Sequence, residues 1–189
     1  MRKLVLFIHV SLDGYAASKD RELSWAYVDD EIFKYSMAAT EKADTALYGR
    51  NTYEIMQYYW PTAGKKPGAS GHDKQHSKWY NSVEKIVISN SLKDNSSAAA
   101  RVIRGNVADQ VMELKNKPGK DILMLGSPTA AHALMERGLI DEYNLFINPI
   151  LLGGGIPVFA PLAYAEKLVI IGKKFFSQGV VGLFYKRQE

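Results

Sequence analysis

The chain has no cysteine among its 189 residues. That excludes a disulfide framework, thiolate ligation of zinc or an iron–sulfur cluster, and a cysteine nucleophile, and it suits a reducing compartment. The cytoplasm is therefore the expected location. No apolar run approaches the ~20 residues that a membrane helix needs. The apolar stretch Leu4 to Val10 follows a basic Arg2-Lys3 pair, but it is too short for a signal peptide core. Asp13-Gly14 also stands where a small-residue cleavage site would be. Low-complexity tracts, internal repeats and long blocks of like charge are absent too, which argues against disorder and solenoids. The Lys and Arg residues are scattered rather than clustered, so the net charge of +4 suits an anionic small molecule and gives no nucleic-acid footprint.

What is present is a succession of short apolar runs rich in Val, Ile, Leu, Phe and Tyr. They lie at residues 3–10, 44–48, 84–88, 101–104, 121–125, 142–148, 166–175 and 179–187, and read as eight strands. Leu4 to Val10 and Ile122 to Leu125 are apolar at successive positions, the pattern of strands buried on both faces. Helices are expected at Asp29 to Lys42, Asn51 to Tyr58, Val107 to Asn116 and Thr129 to Arg137, between strands, which gives a largely parallel α/β sheet. The last two runs are separated by about three residues and should form an antiparallel hairpin, making the sheet mixed. Residues 60–80 turn to Pro, Gly, Lys, His and Ser and read as a surface insertion within one domain spanning 1–189.

Three strand-to-helix or strand-to-turn segments carry candidate chemistry. In Leu47-Tyr48-Gly49-Arg50-Asn51-Thr52 the chain passes through a glycine into a helix whose first turn offers a guanidinium and a hydroxyl. Such a helix start is either an anion site or an ordinary turn. Leu125-Gly126-Ser127-Pro128-Thr129 has the same form, with Pro at the first helical position. It is not a G-x-G-x-x-G fingerprint, and a Gly at a strand end also serves a tight turn. Ile88-Ser89-Asn90-Ser91 places hydroxyls and an amide after a third strand, to bind phosphate or to cap a turn.

Together with Ser11-Leu12-Asp13-Gly14-Tyr15 after the first strand, these segments resemble the dihydrofolate-reductase-like superfamily, especially the reductase domain of bifunctional riboflavin-biosynthesis enzymes. The most specific part of the resemblance is Gly138-Leu139-Ile140-Asp141-Glu142-Tyr143 with the glycine-rich stretch Pro149 to Phe159. The resemblance implies a dihydrofolate-reductase-like fold and an NADPH-dependent reductase acting on a small polar heterocyclic or sugar-like substrate, with homodimers common. The alternatives are a pterin reductase or a nucleotide-binding module without turnover. By position it implies cofactor contacts at Gly49, Arg50 and Thr52, at Ser89 and Asn90, and at Gly126, Ser127 and Thr129, with Arg50 at the adenosine 2′-phosphate. It places Gly14 on a mobile loop over the nicotinamide. Ser127 stands where the family usually has a second glycine.

Asp30 and Asp29, in the stretch Trp25 to Phe33, match the carboxylate that assists protonation in dihydrofolate reductases; the plain reading is two acids at a helix start. His72 and His76 mimic a zinc helix with no third ligand in view, so no metal is expected. His9, inside an apolar strand, reads as a buried structural histidine. The tyrosines at 48, 53, 58 and 59, with Trp60, read as core and loop anchors or as a stacking surface. The missing cysteines exclude the zinc deaminase that often precedes such reductases. The terminal run Val180 to Tyr185 is expected to form an exposed sheet edge that a second copy would cover.

Overall fold

A computed structural model describes residues 1–92, 99–159 and 161–188. Six strands run parallel: β1 (Leu4–Ser11), β3 (Ala43–Gly49), β4 (Glu84–Ile88), β5 (Arg101–Ile103), β6 (Asp121–Leu125) and β7 (Glu142–Asn148). Two more, β9 (Leu168–Phe175) and β10 (Val181–Arg187), form the expected antiparallel hairpin. The sheet order is β5-β4-β3-β6-β1-β7-β10-β9. Two short strands missing from the sequence reading, β2 (Tyr15–Ala17) and β8 (Ile156–Pro157), pair with each other as a separate ribbon.

Successive residues of a strand point to opposite faces, and in β1 both sets are buried. Leu4, Leu6 and Ile8 pack with Val111 and Leu114 of α4 (Val107–Asn116) and Leu134 of α5 (Pro128–Met135). Val5 and Phe7 pack on the other face, where Ile32, Tyr53 and Tyr80 come from α1 (Asp30–Glu41), α2 (Arg50–Ala63) and α3 (Gly71–Ser82). That arrangement explains the unbroken apolar runs.

Helix α3 corrects the reading of residues 60–80 as an insertion. Its signal was the capping box of Ser70 and Asp73, whose side chains each bond the other's backbone amide. Its buried residues are His76, Ser77 and Tyr80, so the inward face is spelled in polar letters and hydropathy periodicity misses it. The same helix explains why α2 outruns its expected end at Tyr58. The Ser77 hydroxyl donates to the Trp60 carbonyl (2.7 Å) and the Asn81 amide to that of Pro61 (3.2 Å), satisfying carbonyls of the last turn of α2.

The expected edge is also corrected. β10 lies between β7 and β9, and β9 forms the sheet edge. Val169, Ile170, Ile171 and Phe175 on β9 are 40%, 51%, 48% and 75% exposed. Asp141, from the motif that carried the resemblance, is structural: its carboxylate accepts the Leu4 amide at 2.7 Å and pairs with the buried Lys115 ammonium at 2.6 Å.

The glycine-rich stretch leans directly on the end of β2. Gly155 has φ +136°, and a Cβ there would stand 2.0 Å from the carbonyl oxygen of Ala17. At Gly153, φ is +65° and nothing lies within 4 Å of the added carbon. Gly155→Ala is therefore expected to cost on the order of 3 kcal/mol or more, and Gly153→Ala only about 1–2 kcal/mol. Urea unfolding of the two variants beside the parent measures the difference.

Candidate functional site

Parallel strands end together, and the carboxyl ends of β1, β3, β4 and β6 open on one crevice. Open α/β sheets present ligands at such an edge. The crevice holds a cavity of about 570 Å³, within the range of small-molecule sites. Gly49, Arg50, Thr52, Ser89, Asn90, Gly126, Ser127 and Thr129 all line it, so three segments up to 80 residues apart in sequence meet in one place.

These turns are tied to one another. The Gly49 amide donates to the Ser127 hydroxyl at 2.8 Å, joining the start of α2 to the start of α5. That amide is thus already bonded within the protein. Ser127 adopts φ 60°, ψ 57° in the left-handed region that glycine enters at little cost. Its side chain offsets that strain by supplying the bond to Gly49. The Arg50 guanidinium crosses to the third turn, donating to the Ser91 hydroxyl at 2.9 Å, while its Nε lies 3.7 Å from Glu54. It remains 45% exposed. Ser89 holds its own turn, its hydroxyl accepting the amides of Ser91 (3.2 Å) and Leu92 (3.0 Å). Gly105, at φ +70° just before α4, also lines the cavity. Its signal was the same strand–glycine–helix grammar in Ile103-Arg104-Gly105-Asn106.

Three expected residues lie outside the lining. Gly14 belongs to a loop fastened to the glycine-rich stretch: its carbonyl accepts the Val158 amide at 2.9 Å. The Asp13 carboxylate accepts the amides of Leu152 (3.1 Å) and Gly153 (2.7 Å). Asp29 is the N-cap of α1, accepting the Glu31 and Ile32 amides at 3.1 and 2.9 Å and a bond from the Ser177 hydroxyl. The Ser177 bond, foremost, holds its carboxyl below the ordinary 3.8. Asp30 is exposed at the same helix start.

The far end of the cavity is built from groups that sequence reasoning set aside. His9, at the carboxyl half of β1, faces the cavity, and burial lowers its pKa to about 4. His72 and His76 stand one turn apart on α3 among Phe33 and Trp60: Phe33 stacks on His72 with centroids 3.7 Å apart, and Trp60 lies 4.0 Å from His76. Of the tyrosines, Tyr48 and Tyr53 are core, and Tyr58 is 89% exposed; Trp60 alone of that group lines the cavity. Among the described residues, no group of three His, Cys, Asp or Glu is placed to hold a metal ion.

A doubly covered parallel sheet with an antiparallel C-terminal hairpin, and glycine turns meeting at its carboxyl edge, defines a dihydrofolate-reductase-like protein. The chain matches the RibD C-terminal domain family over residues 2–171 and belongs to it. It is 31% identical over 187 residues to the uncharacterized protein YyaP of Bacillus subtilis (strain 168), covering 97% of this chain and 94% of that one. In structure it is similar to a pyrimidine reductase-like protein from Corynebacterium diphtheriae (TM-score 0.69, 15% identity, 100% and 92% coverage). It is also similar to dihydrofolate reductase from Enterococcus faecalis, in complex with NADP(H) (TM-score 0.64, 13% identity, 99% and 97% coverage). These likenesses establish the shared fold.

Because Asp29 caps α1, Asp29→Ala should lower stability by about 1 kcal/mol at pH 7. The carboxyl has a depressed folded-state pKa, so this advantage is present above the ordinary value of 3.8 and is lost as pH falls through the folded-state value. Parallel urea titrations of parent and variant from pH 7 to pH 3 check both the size and the sign.

Proposed function

We propose that the protein is an NADPH-dependent reductase of the riboflavin-biosynthesis type, acting on a small heterocyclic substrate. The observation that carries this reading is the convergence of the Gly49-to-Thr52, Ser89-to-Asn90 and Gly126-to-Thr129 turns on one cavity, at the carboxyl edge of a parallel sheet. A dinucleotide suits that cradle. Helix starts at Arg50 and Pro128 turn positive dipole ends toward the cleft. The Arg50 guanidinium, 45% exposed, would meet a ribose 2′-phosphate with its fork. Gly126 (φ +57°) and Gly105 leave the backbone bare where a pyrophosphate would approach.

When bound, the reduced nicotinamide supplies a hydride to an electrophilic carbon of the substrate, whose heteroatom takes up a proton. The residues of this chain align the two partners and exclude water. Asp29 and Asp30 stand outside the cavity lining, and on this reading an ordered water delivers the proton. This disfavours a pterin reductase built on a substrate-binding acid. A nucleotide-binding module without turnover would bind the dinucleotide yet leave absorbance at 340 nm unchanged with every substrate offered. The protein is proposed to act in the cytoplasm as a homodimer that covers the apolar edge strand β9.

NADPH at a hundredfold its Kd should stabilise the protein by about 2.7 kcal/mol, which raises Tm by roughly 5–10 °C. NADH should do so less, and Arg50→Ala should abolish most of the difference. Absence of any shift with either dinucleotide at millimolar concentration would remove the basis of the reading. The dimer is checked by sedimentation at micromolar concentration, where Ile171→Lys should convert it to monomer.

A further inference from the structure

The end of the cavity away from the turns differs from the phosphate cradle in one respect that bears on substrate class: it is nearly without charge. Its walls come from the loop after β2, α1, α2 and α3, and include Val28, Ile32, Phe33, Met56 and Trp60. Among the described residues the whole cavity is lined by no acid and by two cations, Arg50 at the cradle and Arg21 on the exposed rim. At this end three imidazoles, His9, His72 and His76, and the Ser36 hydroxyl supply the polar side chains. Burial lowers the pKa of His9 to about 4 and that of His76 to about 3, and lowers that of His72, so all three are uncharged at neutral pH. The charges of Asp30 and Asp73 act on His72 from α1 and α3. Their sign is the same as that of an incoming phosphate.

On the reductase reading, we infer that the substrate end of this cavity selects an uncharged, flat ring compound and rejects its phosphorylated counterpart. The physical argument is one of solvation. A phosphate dianion taken from water into this end would lose its hydration against aliphatic and aromatic walls, with no buried cation to replace it. A flat apolar ring loses little and gains contact with Phe33 and Trp60, which stand at the aromatic cluster with His72 and His76. The ring nitrogens of His72 and His76 are shielded from water and have no hydrogen-bond partner among the described residues. Groups in that state favour a ligand bearing a neutral donor or acceptor, because the bond repairs an existing deficit. Arg21 does not alter the balance, since it sits at the solvent-facing rim where its field is screened. This sets the chain apart from a reductase whose substrate carries a phosphoribosyl group.

The test uses a matched pair, 1-naphthol and 1-naphthyl phosphate, which share a ring system and differ in the dianion. Each is titrated by calorimetry into the intact protein saturated with NADP+ at pH 7.5. Naphthol is expected to bind at least tenfold more tightly than naphthyl phosphate. Met56→Lys, which places a cation at a partly buried position of the lining rather than at the rim, is expected to narrow that ratio threefold or more. Phe33→Ala should weaken naphthol while leaving the affinity for NADP+ within twofold. Naphthyl phosphate binding as tightly as naphthol, or neither ring binding, would overturn the inference. The prior titration with NADP+ alone keeps the two readings separate. If NADP+ itself fails to bind, the reductase reading has failed; if it binds and the ring preference is absent or reversed, only the substrate class has.

Discussion

The constraint on which the rest depends is that β1, β3 and β6 are apolar on both faces and must be covered on both. A parallel sheet clad by α4 and α5 on one side and by α1, α2 and α3 on the other meets that requirement. The helices that cover the faces leave the carboxyl ends of the strands uncovered. Loops that leave those ends therefore converge, and a crevice is a consequence of burying the strands rather than a separate construction.

Within that crevice, small contacts set the shape. Ser127 joins the start of α5 to the start of α2 through the amide of Gly49, and Arg50 reaches the turn after β4 through Ser91. The first bond accounts for a serine in a left-handed conformation that glycine would adopt with less strain. At the opposite side, Asp13 clips the loop after β1 to the glycine-rich stretch. Gly155 then passes so close to Ala17 that no side chain fits. One end of the cavity is thus made of main chain, hydroxyls and a guanidinium, and the other of rings and aliphatic walls. On the proposed reading, this division of polarity separates a phosphate-bearing cofactor from a substrate without phosphate.

Much of this was legible in the residues. Eight strands of the sheet fall where runs of Val, Ile, Leu and aromatics predict them, and in the central strands burial on two faces accounts for the dense apolar signature. The three turns, two of them bearing a glycine, were visible as breaks at the ends of strands. Helix α3 was not, since the face it buries is His76, Ser77 and Tyr80, of which Ser77 bonds a carbonyl of another helix and Tyr80 enters the core. The edge was misplaced for a related reason: apolarity along Val180 to Tyr185 reports burial, which here comes from lying between two strands, and not an edge.

The sequence by itself determined the alternation of strand and helix, the double burial of the central strands and the turn chemistry at their ends, because these depend on neighbours within a few residues. Only the tertiary structure decided that Gly49 is bonded to Ser127, that Asp29 meets Ser177, and that His9, His72 and His76 face the same cavity. Those outcomes depend on distances between segments far apart in the chain. No local pattern encodes such a distance until the sheet has closed and the helices have packed upon it.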